Sequence, residues 1–298
     1  MKGMAIMRYK KIVGFLLCLS ILFSIISPAV AAVMPVASGT AVYSNAKAKI
    51  DASNVKDGYI MAAYTAQTQK RLKVRVTGPD KIVYTYDLNN EGRYEVFPMS
   101  GGQGKYTVAV YENTTGNKYA VAYSTTITAM LTDNFAPFLC PNQYVNYTEN
   151  SVAVKQAASL TAGKKTELEK ITAVYKYVVT TLTYDKEKAK TVKSGYLPNV
   201  DNVLAAKKGI CFDYAALMTA MLRSQGIPTK LVIGYTGDVY HAWINTYIPE
   251  QGWVEGVIFF DGTTWKLMDP TFASSAKQSK QIMEYIGNGD NYSARYIY

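Results

Sequence analysis

Lys208-Gly209-Ile210-Cys211-Phe212-Asp213-Tyr214-Ala215-Ala216-Leu217 decides how the C-terminal half of the chain is read. Asp201 to Lys208 predicts a short helix stopped by Gly209, and Phe212 to Gln225 a longer one stopped by Gly226 and Pro228. Cys211 therefore stands at a helix start. Unpaired backbone N–H groups and the positive end of the helix dipole favour a thiolate there, and the same N–H groups are able to cradle an oxyanion. Taken alone, a cysteine at a helix start is more often a packing residue than a nucleophile.

Downstream, strands are expected at Lys230 to Tyr235, Tyr240 to Ile248, Val254 to Phe260 and Trp265 to Met268. His241, the single histidine of the chain, falls on the second of these in Tyr240-His241-Ala242-Trp243. Asp269 closes the last in Trp265-Lys266-Leu267-Met268-Asp269-Pro270-Thr271, where a carboxylate is able to accept a bond from the imidazole and fix its orientation. Trp243, two positions after His241, shares its side of the strand and is a candidate to shield the site from water, its bland alternative being core. Each of the three residues has an ordinary structural role available. Nucleophile, base and orienter together in the order Cys, His, Asp are harder to dismiss.

Upstream, Thr166-Glu167-Leu168-Glu169 carries a capping box, and Leu168, Ile171, Val174, Tyr175, Val178 and Leu182 form one apolar stripe behind it. Helices followed by an antiparallel sheet give an α+β arrangement for residues 151–298. Residues 131–150, rich in Asn, Pro and Tyr, show neither period and read as a linker. Residues 40–130 are different. Short alternating runs at Arg71 to Val76, Ile82 to Asp87, Arg93 to Pro98, Lys105 to Tyr111 and Tyr119 to Ile127 are separated by turns such as Asn89-Asn90 and Gly101-Gly102. Regular spacing of this kind suggests an immunoglobulin-like β-sandwich, with positioning or adhesion as its task.

The segment from about 160 to 275 resembles the transglutaminase-like superfamily, related in core architecture to papain-type thiol enzymes. The likeness rests on Gly209-Ile210-Cys211 with Tyr214-Ala215-Ala216-Leu217, on Leu222-Arg223-Ser224-Gln225-Gly226-Ile227-Pro228, on Gly234-Tyr235, on His241-Ala242-Trp243 and on Asp269-Pro270-Thr271. It implies Cys211 as nucleophile, His241 as its proton partner and Asp269 as the residue orienting His241. Upstream, Tyr184 and Tyr196 are weaker candidates for oxyanion or substrate contacts, as the resemblance suggests. The implied reaction is attack on a carboxamide or peptide carbonyl through a thioester, ending in a crosslink if an amine accepts the acyl group and in hydrolysis if water does. A non-catalytic module of the same fold, binding a cell-surface protein or glycan, is the alternative.

Composition limits the other readings. Lys2, Arg8, Lys10 and Lys11 precede an apolar run from Ile12 to Ile26 and a small-residue site at Ala29-Val30-Ala31, so residues 1–31 read as a signal peptide and the mature chain as secreted or cell-surface associated. Its removal takes those four basic residues and lowers the net charge from +10 to +6. The remaining lysines are scattered, which disfavours nucleic acid as a partner and leaves protein or peptide substrates, including cell-wall associated ones. With one histidine and only Cys140 and Cys211 after processing, no zinc site is recognisable, and no metal or cofactor is expected. Two cysteines in an exported chain also admit a Cys140–Cys211 disulfide. In the final segment, Gln278 to Tyr298, Ile282, Tyr285 and Ile286 suggest one short packed helix.

Overall fold

Alternation of buried and exposed side chains builds the N-terminal region. The computed structural model describes residues 33–249, 252–255, 258–260, 265–267 and 292–298. The expected leader, 1–31, lies outside them. Eight strands come first: β1 (Val42–Ser44), β2 (Ala48–Asp51), β3 (Tyr59–Tyr64), β4 (Leu72–Thr77), β5 (Val83–Leu88), β6 (Glu95–Pro98), β7 (Gly104–Thr115) and β8 (Lys118–Ala129). They form two four-stranded antiparallel sheets, ordered β1-β2-β3-β6 and β5-β4-β7-β8. On β4, Leu72, Val74 and Val76 are buried while Arg75 between them is exposed, the period-two pattern of a strand with one solvated face. Buried residues of both sheets enter one core, in which Tyr86 of β5 meets Phe97 of β6 edge-on at 5.1 Å.

Residues 131–150 are clasped rather than loose. They contain one 3-10 turn, Ala136–Phe138, and bury Phe138, Cys140, Val145 and Tyr147. Phe135 lies against Tyr247 at 4.2 Å and Tyr144 stacks on Tyr298 at 3.8 Å, so this stretch grips the C-terminal region at two places.

The C-terminal region is built around one buried helix. Its elements are α1 (Val152–Thr161), α2 (Glu167–Thr181), β9 (Thr183–Tyr184), α3 (Lys186–Thr191), α4 (Val200–Ala206), β10 (Lys208–Gly209), α5 (Cys211–Arg223), β11 (Thr229–Thr236), β12 (Val239–Ile248), β13 (Gly252–Val254), β14 (Ile258–Phe260), β15 (Trp265–Leu267) and β16 (Tyr292–Ile297). The capping box of α2 forms as its sequence demands: the Glu169 N–H donates to the Thr166 hydroxyl at 3.2 Å, and the Thr166 N–H donates to the Glu169 carboxylate at 3.2 Å. From Asp213 to Arg223 every residue of α5 is buried. Helices α1, α2 and α4 pack on it, as do strands β11 and β12 of an antiparallel sheet ordered β13-β12-β11-β16.

One expectation needs correction. The single strand expected at Val254 to Phe260 is two pieces, β13 and β14, belonging to different sheets. The C-terminal segment ends in β16, which pairs with β11 through a bulge at Ile233/Gly234. Pairing supplies the hydrogen bonds of an edge that β11 would otherwise leave open, a tertiary gain that no local periodicity announces. Ile282, Tyr285 and Ile286, which carried the helix reading, lie outside the described residues.

Candidate active site

Cys211 is the first residue of α5, half-buried and free, and Ile210 before it is extended at φ −97° and ψ 176°. Two backbone devices hold that start. Residues Lys208–Gly209 of β10 pair in parallel with Thr183–Tyr184 of β9, and the Asp185 N–H donates to the Gly209 carbonyl at 2.8 Å. Asp213, two residues into the helix, turns its carboxylate back to accept the Ile210 N–H at 2.8 Å, satisfying a donor the helix cannot. A side chain at Gly209 would put its Cβ 2.6 Å from the Asp213 Cβ, which explains the glycine beside the cysteine.

Asp213 is fully buried and charged, and two further donors reach it. The Lys188 ammonium of α3 donates at 2.6 Å, and the Tyr196 hydroxyl donates to the other carboxylate oxygen. Lys188 also donates to the Tyr196 hydroxyl at 2.7 Å and lies 4.2 Å above its ring. Burial opposes the charge on Lys188, but its bonds to Asp213 and Tyr196 outweigh burial and hold it above the usual lysine range. For Tyr196, burial and then acceptance by Asp213 push the phenol up. The hydroxyl of Tyr196 is thus spent on Asp213, not aimed as an oxyanion donor. Its ring meets Phe212 edge-on at 6.2 Å, and Tyr144 covers the other side of Phe212 at 6.0 Å.

His241 is 5% exposed on β12, paired across the sheet with Gly234. Its ring stacks at 6.3 Å on Trp243, as a two-residue interval requires, and lies 6.5 Å from Tyr292 of β16. Gly234 keeps this face open: a Cβ there would lie 2.0 Å from the Ser293 carbonyl oxygen and 2.9 Å from the Trp243 indole. Ala242 and Ile244, which alternate with His241 and Trp243, are the residues of β12 that enter the core shared with α5. Tyr184 sits in β9 beside Gly209, close to Cys211 along the chain path. Asp269 lies outside the described residues. Cys140 is completely buried, with its carbonyl bound to Arg223 and its thiol pushed up to about 11 by burial. Among the described residues no cluster of three His, Cys, Asp or Glu side chains gathers.

Asp213 and Lys188 are the site residues that sequence reading missed. An aspartate at the third position of a helix, directly before the run Tyr214-Ala215-Ala216-Leu217-Met218, was the available signal; nothing local pointed to Lys188, 25 residues away in sequence.

Residues 154–256 match the family model of the transglutaminase-like superfamily. An uncharacterized Bacillus subtilis protein, YebA, is 33% identical over 118 residues, which is 33% of this chain and 16% of that protein. A protein-glutamine gamma-glutamyltransferase of Pseudomonas aeruginosa is 29% identical over 105 residues, 30% of this chain and 14% of that protein. The chain thus spans less than a fifth of the length of either relative. Among solved structures, the periplasmic domain of TgpA from Pseudomonas aeruginosa, with ethylmercury bound, matches at 16% identity and a TM-score of 0.36, over 83% of this chain and 78% of that one.

Proposed function

We propose that this is an exported thiol enzyme that attacks a carboxamide or peptide carbonyl of a protein or peptide substrate at the cell envelope. The observation that carries it is the placement of Cys211: a free, partly accessible cysteine at the first position of a buried helix, within the region that matches the transglutaminase-like superfamily. In this reading the Cys211 thiolate adds to the carbonyl carbon, and the N–H groups at the start of α5 receive the oxyanion. His241, oriented by Asp269, then gives its proton to the leaving nitrogen. Ammonia or an amine departs and a thioester remains. Attack by a lysine amine yields an isopeptide bond, and attack by water yields the acid. The glutamyltransferase among its relatives supports the first outcome. The two N-terminal sheets are assigned as an immunoglobulin-like unit that presents substrate or anchors the enzyme, with residues 1–31 acting as the export signal.

A second reading, a non-catalytic binding module, is favoured by one observation. The alternation on β12 turns Ala242 and Ile244, not His241, into the core shared with α5. One experiment separates the readings: iodoacetamide labelling of the chain across pH, read by mass at the Cys211 peptide, beside ammonia release from glutamine peptides with and without a lysine acceptor. The enzyme reading expects labelling at neutral pH about tenfold faster than a free thiol, slowed in His241→Ala, and no ammonia from Cys211→Ala. Labelling at the rate of an ordinary thiol, unchanged in His241→Ala and without turnover, leaves the binding module.

A further inference from the structure

Around the start of α5 a carboxylate, an ammonium and a phenol from three different chain segments converge without touching solvent-side partners. Asp213 contributes a buried negative charge two residues from Cys211, on the same first helical turn. Its three acceptor contacts, from the Ile210 N–H, Lys188 and Tyr196, tie the helix start to α3 and to the loop before α4. A lone carboxylate here would oppose a thiolate, and a lone ammonium would favour one. The pair cancels.

We propose that Lys188 and Asp213, braced by Tyr196, are positioning residues that fix the start of α5 and set the electrostatic field at the Cys211 thiol. This rests on the thiol-enzyme reading for its purpose but not for its test, because a field at Cys211 is measurable whether or not the thiol turns over substrate. Lys188 is the adjustable member: 28% of its side chain is exposed, whereas Asp213 is sealed. Other ionisable groups beside the helix start are Lys208 and Asp185, paired with each other at 3.2 Å, Tyr184 on β9, and Tyr144, which lies against Phe212. Lys208 and Asp185 cancel as a pair, and the tyrosines are neutral near pH 7.

A purely structural role predicts that removing either partner loosens the helix start and changes thiol reactivity in the same sense. A field predicts opposite senses. The test is the pH midpoint of Cys211 alkylation in the full chain, read by peptide mass so that Cys140 does not contribute, with near-ultraviolet circular dichroism as the check of folding. Lys188→Met exposes the thiol to an uncompensated carboxylate and moves the midpoint up by about one pH unit; Asp213→Asn leaves the ammonium and moves it down by a similar amount. The double variant returns to within a few tenths of wild type, and Lys188→Arg stays near wild type. Should Asp213→Asn fail to fold, the decision falls to Lys188→Met against Lys188→Arg: an upward shift in the first and none in the second supports the field. Unmoved midpoints in folded Lys188→Met, or shifts of one sign in both single variants, overturn it. Opposite shifts in a protein that never releases ammonia uphold the field and discard the enzyme.

Discussion

The two regions of the molecule satisfy buried charge differently. In the N-terminal sheets the ion pairs lie at the rim, as where Glu112 meets Lys47 and Lys70, and the buried carboxylate, Asp51 at 2% exposed, accepts the nearby backbone N–H groups of Gly39 and Ser53. In the C-terminal region ionisable side chains go inside: Asp213 is 0% exposed, Arg223 1% and His241 5%. Burying a charge is costly unless its partners are complete. Asp51 meets that cost with backbone donors of its own neighbourhood, whereas Asp213 and Arg223 meet it with partners from separate segments and so join parts of the chain. Arg223 shows the joining. At the end of α5 its guanidinium donates to the carbonyls of Thr229 at 2.8 Å, Cys140 at 2.7 Å and Tyr298 at 2.6 Å, tying helix, clasp and C-terminal strand with one planar fork.

The contrast makes Arg223 the residue whose loss does most. Arg223→Met retains bulk but removes a charged donor from three buried carbonyls, and a loss of about 3–5 kcal/mol in unfolding free energy is expected. Urea titration checks it; a change below about 1 kcal/mol would mean the buried charge is ornamental and the comparison false. Next comes Gly234→Ala. The new methyl meets the Ser293 carbonyl oxygen at 2.0 Å, so β16 must shift from β11, at an expected cost of about 1–3 kcal/mol. Faster proteolytic loss of the C-terminal segment than in wild type is the accompanying sign.

How much of this was legible depended on how local the cause was. The α2 start was readable because Thr166 and Glu169 satisfy each other within one turn, and β4 because Leu72, Val74 and Val76 alternate with polar neighbours. The helix that begins at Cys211 was likewise found from its own apolar run and its stop at Gly226-Ile227-Pro228. By contrast β3, Tyr59–Tyr64, went unread: it is buried at all six positions and so shows no alternation. Helix α1 was missed as well; Ser151 precedes it but makes no side-chain cap bond, and its apolar stripe is short. The clasp read as a linker because its burial comes from distant rings, Tyr247, Trp253 and Tyr298. At the site, the place of Cys211 at a helix start was legible, whereas the bond of Tyr196 to Asp213 was not, since it is set by how distant segments approach.

The smallest expected effect tests the other side of the comparison, the rim charges. Glu112 on β7 accepts from Lys70 at 2.7 Å, Tyr64 at 2.7 Å and Lys47 at 3.0 Å, and these bonds, that of Lys70 foremost, draw its carboxyl down to about 2. A depressed carboxyl stabilises the fold above its unfolded value of 4.5 and loses that contribution as pH falls toward 2. Both lysines are about half exposed, so screening reduces the contribution to about 1 kcal/mol. Glu112→Gln should therefore cost that little at pH 7 and flatten the stability profile between pH 4.5 and 2, with added salt narrowing the gap to wild type. A cost approaching that of Arg223→Met would show that a charge at the rim matters as much as one in the core, and position in the fold would no longer distinguish charges that join the parts from charges that dress a surface.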